Sequence, residues 1–83
     1  MKAVYFAWVR ERIGKGEEEI VPPAGAATIG ELIAWLSQRG EGYAFAFEKA
    51  SIIRAAIDRT HVKHDAAIAG AREIAFFPPM TGG

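Results

Sequence analysis

The spacing of apolar and polar side chains changes period several times along this chain, and each change marks an element. Lys2 to Val9 is rich in Val, Tyr, Phe and Trp, with apolar groups on both faces (Ala3, Tyr5 and Ala7 against Val4, Phe6 and Trp8). That pattern predicts a strand inside a sheet rather than at its edge. Arg10-Glu11-Arg12-Ile13-Gly14-Lys15-Gly16 is polar and punctuated by glycine, which predicts a turn. Glu17 to Val21 returns as a second strand, closed by Pro22-Pro23. Its successive glutamates read as a solvated edge that discourages sheet-to-sheet pairing.

The period then becomes helical. Ile29, Leu32, Ile33 and Leu36 fall at i, i+3, i+4 and i+7 and form one apolar stripe. Thr28 and Glu31 have the spacing of a capping box at its start. Gly40, after Gln38-Arg39, is a suitable stop. From Gly42 to Ser51, Tyr43, Phe45 and Phe47 alternate with alanines, a strand-like period. Ile52 to Ile57 is apolar and predicts a strand, Asp58-Arg59-Thr60 a turn, and His61-Val62-Lys63 a short strand. His64-Asp65 and Ala69-Gly70 are turn material. Glu73-Ile74-Ala75-Phe76-Phe77 closes the series as a buried strand.

Composition narrows the function. Eighty-three residues make one domain with a modest core. Ten basic and ten acidic side chains cancel, which argues against nucleic acid as a partner. The absence of cysteine excludes disulfides, thiolate metal sites and a cysteine nucleophile. Met1-Lys2 leads straight into a strand-like segment, and no uninterrupted apolar stretch is of membrane length. A cytoplasmic protein with no membrane partner is the expectation.

Side-chain chemistry is sparse. His61 and His64 are three apart, a ligand spacing on a helix, but on a strand and turn they point to different faces. No metal site is expected, and His61 reads as a surface or partner-facing residue. Ser37 and Ser51 lack a nucleophile's context, and the glycines form no phosphate-binding loop. The chain shows no active site of its own, so whether it counts as an enzyme is left uncertain.

The unusual stretch is the end. Pro78 and Pro79 have no N–H to give to a ladder and fix φ near −65°, so the chain must leave the last strand stiffly extended. Met80-Thr81-Gly82-Gly83 follows. Glycine lets backbone approach other groups closely, and a tail carrying a bare carboxylate points to the carboxylate as the working group. Termini are also commonly frayed, and Gly-Gly alone admits any ubiquitin-like carrier.

With Phe76-Phe77-Pro78-Pro79-Met80-Thr81-Gly82-Gly83 at one end and Tyr5-Phe6-Ala7-Trp8-Val9-Arg10-Glu11-Arg12-Ile13-Gly14 at the other, the chain resembles the small subunits of molybdopterin synthase over essentially its whole length. The resemblance implies an α+β, ubiquitin-like β-grasp domain over 1–83. It would hold a mixed sheet of about four to five strands with one main helix on one face. First and last strands would lie parallel at the centre, and the tail 78–83 would project. It also implies a connecting segment with some helical turn over Gly42–Ser51, against the strand-like period.

Such proteins are non-catalytic sulfur carriers. A free carboxylate is a poor electrophile, so a separate E1-like activating enzyme uses ATP and Mg²⁺ to make an acyl-adenylate at Gly83. A persulfide sulfurtransferase supplies the sulfur of a thiocarboxylate. The large synthase subunit takes the tail, and sulfur passes to a cyclic pterin phosphate precursor to build the dithiolene of the molybdenum cofactor. The resemblance further implies a heterotetrameric synthase and no cofactor bound by the chain itself. It assigns sulfur carriage to Gly83, threading of a narrow channel to Gly82, Thr81 and Met80, tail projection to Pro78 and Pro79, and partner contact to Phe77, Phe6 and Arg10. His61 stands where the family has a larger apolar residue, Met80 where valine is commoner, and Ala71-Arg72 where an acidic turn is usual. A carrier serving thiazole or another sulfur-containing product, a ubiquitin-like modifier, and a binding domain with an incidental tail are the alternatives. The double proline favours the first reading over the thiazole carriers.

Overall fold

The computed structural model describes residues 1–79. Five strands, β1 (Lys2–Tyr5), β2 (Glu17–Glu19), β3 (Arg54–Ile57), β4 (Thr60–Val62) and β5 (Glu73–Phe77), form one sheet in the order β2-β1-β5-β3-β4. β1 runs parallel to β5, while the other neighbours are antiparallel. The parallel pair of first and last strands is therefore inside the sheet, and β5 is its centre. Three helices, α1 (Ala7–Ile13), α2 (Ile29–Leu36) and α3 (Glu41–Ala46), and a 3₁₀ turn at Ala50–Ile52 complete an α+β β-grasp. Among the described residues no helix is long and apolar enough to cross a membrane.

Strand alternation divides the sheet into two faces. Ala3, Tyr5, Ala55, Ile74 and Phe76 point to one and are buried, with the α2 stripe of Ile29, Leu32, Ile33 and Leu36 in the same core. Phe76 is its hub, stacked on Tyr5 at 6.1 Å and edge-on to Phe47 at 5.6 Å. The capping box forms as the spacing predicts. Glu31 N–H donates to Thr28 Oγ1 at 3.2 Å, and Thr28 N–H donates to Glu31 Oε1 at 3.1 Å.

Three expectations need correction. The first strand stops at Tyr5 rather than Val9, because Ala7 adopts φ +51° and turns the chain into α1. The predicted turn at Arg10–Gly16 is mostly that helix, whose end is Gly14 in the left-handed region at φ +92°, donating to the Arg10 carbonyl. The one main helix expected is α2, and α1 and α3 add to its layer. Gly40 divides α2 from α3 rather than capping α2 directly, whose C-cap is Ser37. Three further strands shift their bounds: β2 ends at Glu19 rather than Val21, β3 begins at Arg54 because Ala50–Ile52 takes the 3₁₀ turn, and β4 runs from Thr60 to Val62. The helical turn expected within Gly42–Ser51 is present, as α3.

Candidate functional site

Among the described residues no helix covers the second face of the sheet, which stays open. Val4 and Ala75 lie at its middle with Phe77 beyond them, and they line an open concavity of about 530 Å³ together with Phe6, Arg10 and His61. Phe77 is half-buried there, not in the core, since alternation gives the core position to Phe76. Its ring lies 5.1 Å from the His61 imidazole. His64 is engaged elsewhere, with Nε2 2.6 Å from the Ile53 carbonyl.

Phe6 and Arg10 reach this face by way of the turn at Ala7. Left-handed backbone is costly for a residue with a Cβ, and it bends the chain at the level of β5's last residues. Phe6 N–H donates to the Phe76 carbonyl at 3.1 Å, one residue before Phe77. The Phe6 carbonyl accepts from Val9 and Arg10 and so takes up two N–H groups of the first helical turn. Phe6 is left 48% exposed. The Arg10 guanidinium lies against the bare Cα side of Gly16, where an added Cβ would meet its Cζ at 3.1 Å.

The far side of α1 is held by α3. Arg12 is layered between Trp8 and Phe45, its Cζ 4.3 and 3.9 Å from the ring centroids, and donates to the Phe45 carbonyl. At Gly42 the helices approach so closely that a Cβ would sit 2.7 Å from the Arg12 carbonyl oxygen. Below this contact Glu18 accepts from the hydroxyls of Tyr5 at 2.8 Å and Tyr43 at 2.7 Å and from Arg39 at 3.2 Å, tying β2 to β1 and α3. Burial alone would raise the Glu18 pKa. The hydrogen bonds from Tyr43 and Tyr5 and the charges of Arg39 and Lys15 outweigh it, so the carboxyl sits below its ordinary value. Tyr5 and Tyr43 are pushed up, chiefly by burial and then by hydrogen bonding to that anion. Among the described residues no buried polar side-chain atom is left without a partner.

The site residues thus fall into two groups. Phe6, Arg10 and Phe77 come together on the open face, where β5 ends in the half-buried Pro78 and Pro79. Met80, Thr81, Gly82 and Gly83 lie outside the described residues. One residue escaped the sequence reading: Arg54, exposed, directly opposite Phe77 in the β3–β5 register. The signal was the alternation from Arg54 to Ala56, with Ala55 between them in the core.

Comparison with known proteins gives the geometry a context. The sequence model of the ThiS family matches residues 3–83. The chain is 34% identical to the molybdopterin synthase sulfur carrier subunit of Escherichia coli and 36% identical to that of Haemophilus influenzae, each over all 83 residues and 99% of the relative. A crystal structure of small archaeal modifier protein 1 from Haloferax volcanii superposes with a TM-score of 0.71 at 25% identity, covering 100% of this chain and 98% of the other.

Proposed function

The chain belongs to the ThiS family, and from that premise we propose that it is the sulfur carrier subunit of molybdopterin synthase, with the synthase's large subunit as its partner. The observation that carries this reading is the likeness to two such carriers along the whole chain. The fold supports it, since the central strand runs straight into Pro78-Pro79 and Phe77, the residue before that exit, lines an open concavity with Val4, Phe6 and Ala75.

The chemistry resides in the Gly83 carboxylate. Its charge is delocalised and its leaving group would be oxide, so it must first be joined to a better one. Attack of a carboxylate oxygen on the α-phosphorus of Mg·ATP in an E1-like enzyme gives the acyl-adenylate and releases pyrophosphate. A persulfide sulfur then adds to the acyl carbon and AMP departs. Cleavage of the remaining S–S bond by a second thiol of the donor supplies two electrons and leaves the thiocarboxylate. In the synthase that sulfur displaces an oxygen substituent from a carbon of the cyclic pterin phosphate precursor, and hydrolysis of the resulting thioester leaves the sulfur on the pterin and returns the Gly83 carboxylate.

Backbone capture of a chain-terminal carboxylate is an established binding mode, and Thr81-Gly82-Gly83 suits a channel too narrow for larger side chains. Pro78 and Pro79 limit the conformers the tail must give up on entry. Phe6, Arg10 and Phe77 supply the docking surface. The cofactor-free carrier acts in the cytoplasm, in a heterotetrameric synthase.

The test is the intact mass of the protein from cells actively making the cofactor. A fraction with one oxygen replaced by sulfur is expected, and deletion of Gly83 should remove it. Carboxylate alone in such cells would refute sulfur carriage. A second reading, attachment to amines as a modifier, is favoured by the likeness to the archaeal modifier protein. It would show as isopeptide-linked conjugates through Gly83 in the same lysate.

A further inference from the structure

The open face is electrostatically uneven. At the start of β1, Glu17 and Glu73 both lie within 4 Å of Lys2 Nζ, at 3.4 and 3.8 Å, and Glu19 is 2.7 Å from the N-terminal ammonium. Carboxylates outnumber cations there, three against two, and each has a cationic partner. Around Phe77, at the other end, the excess is basic. Arg54 stands directly across the ladder from Phe77, a pairing that sets Cβ atoms roughly 4.5–5.5 Å apart on one face. Arg10 lines the same concavity from α1. Neither guanidinium has a hydrogen bond or ion pair among the described residues. Glu11 is next in sequence but about 100° around α1. The His61 ring covers Phe77 from the β4 side.

We propose that Arg10 and Arg54, flanking the adjacent rings of Phe77 and His61, form a cationic collar around the root of the tail, and that it selects a large subunit whose tail pocket opens through a rim of carboxylates. This rests on the carrier reading given above. Whatever takes the tail must bring the mouth of its pocket over Phe77 and Pro78, and so over both guanidinium groups. Covering an arginine without a counter-charge is costly. A carboxylate meets its planar fork with two parallel hydrogen bonds. At a rim such pairs add little equilibrium affinity but speed encounter and orient it. The collar therefore governs the rate and choice of docking, while the apolar centre and the tail govern its lifetime.

Stopped-flow association of the full-length protein with the purified large subunit of its own synthase tests this. Arg54→Glu should lower the association rate about tenfold or more at low ionic strength. The difference should shrink towards nothing at high salt, with the dissociation rate little changed. Arg54→Lys should keep most of the wild-type rate. Arg54 is exposed, and unchanged thermal unfolding will certify that the variants fold. Equal or faster association of Arg54→Glu overturns the collar alone. Failure of the wild-type protein to bind the large subunit overturns the carrier reading and the collar together. A concentration-dependent dimer that Arg54→Glu abolishes would give the collar to the acidic β2 corner of a second copy, and overturn the proposal in that way.

Discussion

Glu18 shows what one side chain does in so small a molecule. Its carboxylate accepts from two tyrosines and an arginine at once, and those partners hold its pKa below the ordinary value near 4.5. Folding is therefore linked to its ionisation. The stability it contributes is fully present above the unfolded-state value and is lost as pH falls through the lower folded-state value. We expect the wild-type unfolding temperature to drop steeply below about pH 4.5, and Glu18→Gln to be less stable at pH 7 but flatter across the acid range. Scanning calorimetry from pH 3 to pH 7, roughly the span over which carboxylates titrate, reads both. Gly83 is the opposite case: deleting it should abolish thiocarboxylate formation and sulfur transfer without moving the unfolding temperature. A large drop in that temperature would mean that the tail is part of the fold.

At the scale of elements, the helical layer was half legible. The α2 stripe could be read directly because its period, cap and length agree. Leu36, fully buried on it, should cost about 2–5 kcal/mol when truncated to alanine, measured by denaturant unfolding. α1 was hidden by Val, Phe and Trp, whose strand propensity outweighed the i, i+4 pair Val9 and Ile13, and by a left-handed residue that is alanine and not glycine. Nothing in the code for Ala7 announces that turn; tertiary packing imposes it. α3 is short, and the aromatic alternation that imitates a strand has a different cause. Phe47 enters the core, Tyr43 reaches Glu18, and Phe45 layers on Arg12. The close approach at Gly42 was equally invisible, because it depends on where α1 lies. Gly42→Ala should destabilise the fold by about 1–3 kcal/mol. It should also weaken binding of the large subunit, since α1 carries Phe6 and Arg10; isothermal titration calorimetry beside thermal unfolding separates the two losses.

For the whole molecule, the sheet and its tail were the parts that sequence expressed best. Central strands buried on one side and crossed by a helix leave a pattern of period and propensity, and Pro78-Pro79 mark where pairing must end. The open face was harder to see, because its members come from four strands and a helix start, and only the register brings Arg54 opposite Phe77. Replacing both prolines with alanine should leave unfolding unchanged and slow sulfur transfer from protein loaded to equal thiocarboxylate. Equal transfer by both proteins would remove the role given to the prolines.

The place of β5 in the sheet has a consequence for how this protein comes into being. β5 follows the other four strands in the chain, yet it must slot between β1 and β3. Contacts between such distant segments make the closing step entropically demanding and slow. Until it happens, two inner strands have bare edges and the segment that ends in Pro78-Pro79 has no direction. One event completes the core and sets the direction of Pro78-Pro79, so on the proposed carrier reading a nascent or misfolded chain would offer an activating enzyme no ordered exit from the sheet. On that reading, the order of synthesis itself would reserve loading with sulfur for molecules that have finished folding.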